Sequence, residues 1–162
     1  MTTRVALAVI GLALLVANPA SAHSRCKDRP VKGSLSAVLK VDVATGNLTA
    51  EAKGVMSHVG RFTGYQEGRI EPQPDGSLRV LTTFRIVAAN GDEIVGTATS
   101  TPDGAPNVPH TTTQILTITG GTGRFAKASG QLTAVYHVTP SSFDGVTLTN
   151  LAEGPFKGHI RY

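Results

Sequence analysis

His58, Arg61 and Tyr65 fall within one short segment, His58-Val59-Gly60-Arg61-Phe62-Thr63-Gly64-Tyr65. A guanidinium and a phenol sharing a mostly apolar pocket could hold a small acid or phenol by charge-assisted hydrogen bonds. Asp92 and Glu93 add two adjacent carboxylates, and Tyr136 a further phenol inside an alternating apolar run. In a strand, successive side chains point to opposite faces, so Arg61, Thr63 and Tyr65 share one face while His58, Gly60 and Phe62 share the other. Two readings follow for Arg61. Either it lines a pocket together with Tyr65, or it pairs with Asp92 or Glu93 and ties two strands together. The ligand-binding candidates are thus Arg61, Tyr65, His58, Asp92, Glu93 and Tyr136; the residues name no catalytic group.

Other constellations carry less. His23 would be the first residue after a signal cleavage, and an N-terminal histidine can chelate copper if a second histidine joins it. His58, His110, His137 and His159 show no metal-ligand spacing, so no metal and no cofactor is expected. Gly120-Gly121-Thr122-Gly123 superficially resembles a phosphate loop. A phosphate loop needs Gly-Lys-Ser/Thr opening a helix, whereas this turn leads into a β-rich segment. Gly120, Gly121 and Gly123 are therefore read as a structural turn. Asn47-Leu48-Thr49 matches a glycosylation sequon and reads as a turn.

These residues must be positioned by a chain of 162 residues with formal net charge +4. Arg4, an apolar run from Val5 to Val16, and Asn18-Pro19-Ala20-Ser21-Ala22 form the three regions of a secretory signal over residues 1–22. The run is too short for a permanent membrane span, and no membrane association is expected after cleavage. The mature chain should be secreted or periplasmic. The alternative is a retained N-terminal anchor. Without Arg4, 14 basic residues face 11 acidic ones, a net charge of +3. The basic residues are scattered, which argues against nucleic-acid binding. The single cysteine, Cys26, excludes an internal disulfide; it reads as a free thiol in an N-terminal arm over residues 23–32, or as an intermolecular bridge.

From residue 33 the pattern is β throughout. Leu35, Ala37, Leu39, Val41 and Val43 alternate with polar residues. Further strands are expected over 48–56, 59–70, 78–88, 93–101, 111–119 and 125–139, the last with a bulge near Gly130. The segments 146–151 and 156–162 end the chain, separated by Glu153-Gly154-Pro155. Pro72-Gln73-Pro74-Asp75-Gly76 is a turn, and Asn90-Gly91 signals a type I′ hairpin. Eight or nine short, regularly spaced strands predict one domain over residues 33–162, a sandwich or a barrel.

Three segments, in order, carry a family resemblance. Val59 to Tyr65 resembles the Gly-Arg-x-x-Gly-aromatic strand of plant dirigent proteins. Asn90-Gly91-Asp92-Glu93-Ile94-Val95-Gly96 falls where those proteins have a hairpin. Ile118 to Gly130, containing Gly-Gly-Thr-Gly-Arg-Phe, resembles a motif shared by dirigent proteins and allene oxide cyclases. Small secreted bacterial proteins with these same segments are similar too. The resemblance implies an all-β fold, an eight-stranded antiparallel barrel of the allene oxide cyclase type, and dimers or trimers, so a homo-oligomer is an expected partner.

Three functions remain open from the residues. The barrel could bind a small apolar or amphipathic ligand in its lumen without catalysis. It could be an isomerase, cyclase or dirigent-like guide of a reactive intermediate. Or it could be a structural protein with a filled barrel. Eight strands leave an interior just wide enough for side chains or one small ligand.

Overall fold

The computed structural model describes residues 27–162. The signal segment 1–22, His23 and Cys26 lie outside the described residues. The chain forms eight strands: β1 (Asp28–Asp42), β2 (Asn47–Met56), β3 (Gly60–Pro72), β4 (Leu78–Ala88), β5 (Glu93–Pro102), β6 (His110–Gly121), β7 (Ser129–Phe143) and β8 (Thr147–Arg161). Each pairs antiparallel with the next, and β8 returns to β1, closing the barrel. Closure leaves no edge strand to template pairing with another chain.

The boundaries depart from expectation in four places. Residues 28–32, expected as part of an arm, extend β1: Asp28 pairs with Arg161 and Lys32 with Lys157 on β8. Glu153-Gly154-Pro155 does not interrupt β8. Pro155 points outward, and β8 has no registered partner on β7 at Gly154 and Pro155, so the absent N–H is tolerated. Phe125 belongs to a 3-10 turn, Gly123–Phe125, rather than to β7, and the register shifts fall between Val95 and Gly96 and between Pro140 and Ser142, not at Gly130. At Asn90-Gly91 only Gly91 takes a positive φ, of 86°. A type I′ turn needs both; here Gly91 N–H donates to Ala88 O and Ala88 N–H to Asp92 O, a three-residue loop instead.

An up-and-down barrel sorts its turns into two sets. The turns 57–59, 89–92 and 122–128, with both described chain ends, lie at one end, called the base. The turns 43–46, 73–77, 103–109 and 144–146 lie at the other, the mouth. The base is solid. Phe62 on β3, Phe84 on β4 and Phe156 on β8 point inward and are each 4–6% exposed. Each stands directly across the ladder from a glycine: Phe62 from Gly54, Phe84 from Gly96, Phe156 from Gly33. A Cβ on Gly54 would come within 2.7 Å of Phe62 Cζ, and one on Gly96 within 2.8 Å of Phe84 Cε1. The missing side chains are the space the rings occupy. Phe62 and Phe156 meet edge to face, with ring centroids 6.1 Å apart.

The glycine turn seals the base from below. Thr122 N–H donates to Glu93 O and Glu93 N–H to Thr122 Oγ1, each at 2.9 Å. Gly123 has φ 54°, and a Cβ there would strike the Asp92 carboxylate. This places Phe125, fully buried, under the barrel against Tyr162, their rings 4.8 Å apart.

At the mouth, every turn is closed by an aspartate. Asp42 accepts from Ala44 and Thr45 N–H, Asp75 from Ser77, Asp103 from Thr111, and Asp144 from Val146 and Thr147. Hydrogen bonds to the ionised form hold three of these carboxyls below the usual aspartate value: backbone N–H of Thr45 for Asp42, Ser77 hydroxyl and N–H for Asp75, and backbone N–H of Thr147 and Val146 for Asp144.

Two outcomes are expected. Gly54→Ala lowers unfolding stability by about 1–3 kcal/mol through overpacking. Gly64→Ala, whose Cβ would find only Ala52 Cβ at 3.3 Å and Phe62 Cε2 at 3.7 Å, is neutral or stabilising by up to about 1 kcal/mol. Denaturant titration reads both, and equal losses would remove the ring-for-side-chain account. Depressed carboxyl values in the folded state stabilise above the unfolded value of 3.8 and lose that effect as pH falls through the folded values. Acid unfolding monitored by circular dichroism should therefore begin below pH 3.8, and Asp144→Asn should reduce the loss.

Candidate functional site

Strand parity decides which residues see the lumen. On β3, Phe62, Gly64, Gln66, Gly68 and Ile70 point in, whereas Arg61, Thr63, Tyr65, Glu67 and Arg69 point out. Burying the Phe62 ring fixes this choice, because a one-residue slip would place Arg61 in the apolar interior. Arg61 and Tyr65 therefore stand on the outer surface, correcting the reading in which they line a pocket. Tyr65 is 41% exposed and lies under the guanidinium of Arg85, 5.0 Å from the ring centroid.

The alternative reading, Arg61 paired with Asp92 or Glu93, is also corrected. Glu93 pairs with Arg85 at 3.1 Å and Asp92 with Arg124 at 3.6 Å. Asp92 further accepts from Asn90 Nδ2 at 2.9 Å. Both carboxylates thus hold the base turns together, away from the lumen. His58 sits in the β2–β3 turn with a φ of 67°, and its Nε2 donates to Pro30 O at 3.1 Å, tying that turn to β1. Among the described residues, no group of three His, Cys, Asp or Glu is placed to hold a metal ion.

Of the six candidates, Tyr136 alone directs its side chain into the lumen. It leads to a polar assembly that sequence patterning missed. Tyr136 Oη donates to Gln114 Oε1 at 2.7 Å. Gln114 Nε2 donates to Ser100 Oγ at 2.8 Å and to Gln66 Oε1 at 3.0 Å. Gln66 Nε2 donates back to Gln114 Oε1 at 3.3 Å, and Thr82 Oγ1 donates to Gln66 Oε1 at 3.2 Å. Five consecutive strands, β3 to β7, each contribute one residue. Gln66 and Gln114 lie three strands apart, so their reciprocal amide pair bridges the bore. Gln114 uses both amide hydrogens and accepts two bonds; it is saturated within the assembly.

Burial raises the Tyr136 hydroxyl well above the ordinary tyrosine value of 10.0. The phenol stays protonated and acts as a donor. The signal for the assembly was the side-chain type at inward positions: Gln114 shares a face with Leu116 and Ile118, and Gln66 with Phe62 and Gly64.

Above the base, the lumen encloses a cavity of about 100 Å³. Its walls include Leu35, Leu39, Val80, Leu116 and Val138, with the polar crossbar among them. The loop 103–109 folds over the mouth. There Pro106 O accepts from Asn150 Nδ2 at 3.2 Å, and His110 Nδ1 donates to Val108 O at 2.9 Å. No aspartate, glutamate, lysine or arginine belongs to the described lining. The interior can therefore accept uncharged groups through amides and hydroxyls, and apolar surface everywhere else.

No protein-family model and no curated protein matches the chain. The solved structure of the pterocarpan synthase dirigent protein GePTS1 is similar over 85% of this chain and 87% of that one, with 13% sequence identity and a TM-score of 0.48. The fold itself, an all-β closed barrel of eight antiparallel strands, stands on its own strand order.

Tyr136→Phe removes one buried bond and leaves Gln114 Oε1 its bond from Gln66, so it should cost about 0.5–1.5 kcal/mol at neutral pH. The raised hydroxyl value makes the wild-type contribution complete below pH 10.0 and lost as pH climbs above it. Stability measured from pH 7 to 11 should fall more steeply for the wild type than for Y136F. Parallel profiles would mean the phenol is not held protonated by burial.

Proposed function

We propose that the protein is an exported barrel that binds one small, neutral, mostly apolar molecule in the mouth half of its lumen. One observation carries the reading: a cavity of about 100 Å³ with apolar walls and an internally hydrogen-bonded amide and hydroxyl crossbar. An apolar cavity of roughly 150 Å³ takes up benzene, whereas drug-sized ligands need roughly 300–1,000 Å³. The occupant is therefore the size of a single ring. Ionised ligands are disfavoured, because a charge taken from water would meet no counter-charge inside. Export is part of the proposal and rests on the signal-like residues 1–22.

The filled-barrel reading fits the base and not the mouth half. Guidance of a reactive intermediate would have to work by shape and uncharged groups, because the described lining holds no carboxylate, lysine or arginine and Tyr136 gives its proton to Gln114; His110 at the rim is the one imidazole in that lining.

Protein-observed NMR with benzene as probe should shift the methyl resonances of Ala50, Val138 and Ala152. Ala50→Leu, which fills the cavity at a cost of at most about 1–3 kcal/mol, should abolish those shifts in a folded protein. Shifts confined to outer-surface methyls, or binding undiminished in A50L, would rule out a lumen site.

A further inference from the structure

Among the described residues lining the lumen, one buried polar side-chain atom has no partner. Asn150, on β8, is 2% exposed, and its Oδ1 is buried without a hydrogen-bond partner. Its neighbours across the ladders are Leu39 on β1 and Pro140 on β7, and the inward residues on either side of it along β8 are Leu148 and Ala152. None has a side-chain donor. The orientation of the amide is fixed by the mouth loop: Nδ2 donates to Pro106 O. Turning the amide over would set two carbonyl oxygens against each other, so the unpartnered atom must be the acceptor. A buried acceptor left unpaired is costly, and a structure keeps one where something else supplies the donor.

The surroundings restrict that donor. Asn150, Pro106 and the apolar residues Leu39, Val41 and Val138 belong to the same cavity wall. The crossbar cannot reach over, since its bonds run among Gln66, Thr82, Ser100, Gln114 and Tyr136. The four mouth turns each carry an aspartate, and the lining carries no cationic lysine or arginine. An anion would find no lysine or arginine partner inside. We infer that the ligand is a neutral molecule bearing a hydroxyl or an N–H, which it donates to Asn150 Oδ1 while its apolar remainder packs against Leu39 and Val41. This deepens the lumen-binding reading and rests on it. Asn150 then selects between ligands of equal size and shape, and ties their recognition to the loop 103–109, because its other amide atom holds that loop over the mouth.

Three probes with one carbon ring test the inference: cyclopentane, cyclopentanol and cyclopentanone, titrated into the protein and read by lumen methyl shifts. The alcohol donates and accepts; the ketone only accepts; the hydrocarbon does neither. In the wild type the alcohol should bind about tenfold more tightly than the ketone, the effect of one net hydrogen bond. Asn150→Leu should bring alcohol and ketone to equal affinity and retain cyclopentane. Equal binding of alcohol and ketone by the wild type overturns the inference and leaves the lumen reading intact; it would mean that water serves Oδ1. An alcohol preference that survives in folded N150L also overturns it. Failure of all three probes overturns the lumen reading and this inference together. The alcohol–ketone comparison needs only the wild-type chain, so it decides the matter even where a variant does not fold.

Discussion

The packing of phenylalanine rings over cross-strand glycines is the constraint on which the rest of this barrel depends. An eight-stranded bore is only wide enough to be filled once by side chains. Gly33, Gly54 and Gly96 give up their side chains so that Phe156, Phe62 and Phe84 can lie flat across the ladder into the bore. Three large inward rings fill the base without Trp and with only five phenylalanines in the whole chain. The same arrangement fixes parity. Once Phe62 is inside, Gly64 and Gln66 are inside and Arg61 and Tyr65 are outside, because a strand offers no intermediate choice.

Concentrating aromatic volume at the base leaves the mouth half with small and branched residues, such as Ala37, Ala50, Ala52 and Val80, which do not fill the bore. That shortfall is the cavity. The amide bridge between Gln66 and Gln114 crosses the bore and holds β3 and β6 at a set separation. Its bonds run in both directions, and Tyr136, Ser100 and Thr82 occupy the remaining valences of the two amide oxygens and of Gln114 Nε2. Each polar nitrogen and oxygen of the network has at least one partner, which is what makes it tolerable in an apolar interior. The crossbar is thus better understood as a wall of the cavity than as a set of hungry groups inside it. Asn150 Oδ1 is the exception.

The fold was largely legible in the residues. Period-2 alternation from Leu35 onward, the turn signals and the three glycine-containing segments led to an eight-stranded barrel, with most strand limits within a few residues. What patterning could not supply was the partner of each strand. Residues 28–32 look like an arm because Asp28, Arg29 and Lys32 are charged; only the presence of β8 alongside makes them a strand. Glu153-Gly154-Pro155 reads as a break for the complementary reason, that outward proline and inward glycine are both acceptable where the neighbour makes no registered pair. The site was less legible. Charged residues draw attention as chemistry, and four of the six candidates are Arg61, His58, Asp92 and Glu93. Desolvation places such groups outside, where His58, Asp92 and Glu93 secure turns. The residues that do face the lumen are neutral Gln66, Gln114, Ser100, Thr82 and Asn150, which differ from ordinary strand polars only by parity.

Charge is thus partitioned along the barrel axis. The base carries the ion pairs of Asp92 with Arg124 and Glu93 with Arg85, on the outside of the plug. The mouth carries Asp42, Asp75, Asp103 and Asp144, each committed to capping its own turn, and the Arg79–Glu71 ion pair beside the 73–77 turn. Between them lies an interior whose described lining holds no aspartate, glutamate, lysine or arginine, with His110 at the rim. Capping by carboxylate closes the rim turns without lengthening them. On the proposed lumen-binding reading, a molecule that remains inside has to be uncharged and compact, with hydrogen-bonding groups that match positions the backbone has already fixed. On that reading, selection is exercised by desolvation first and by Asn150 second, and neither requires the strands to move.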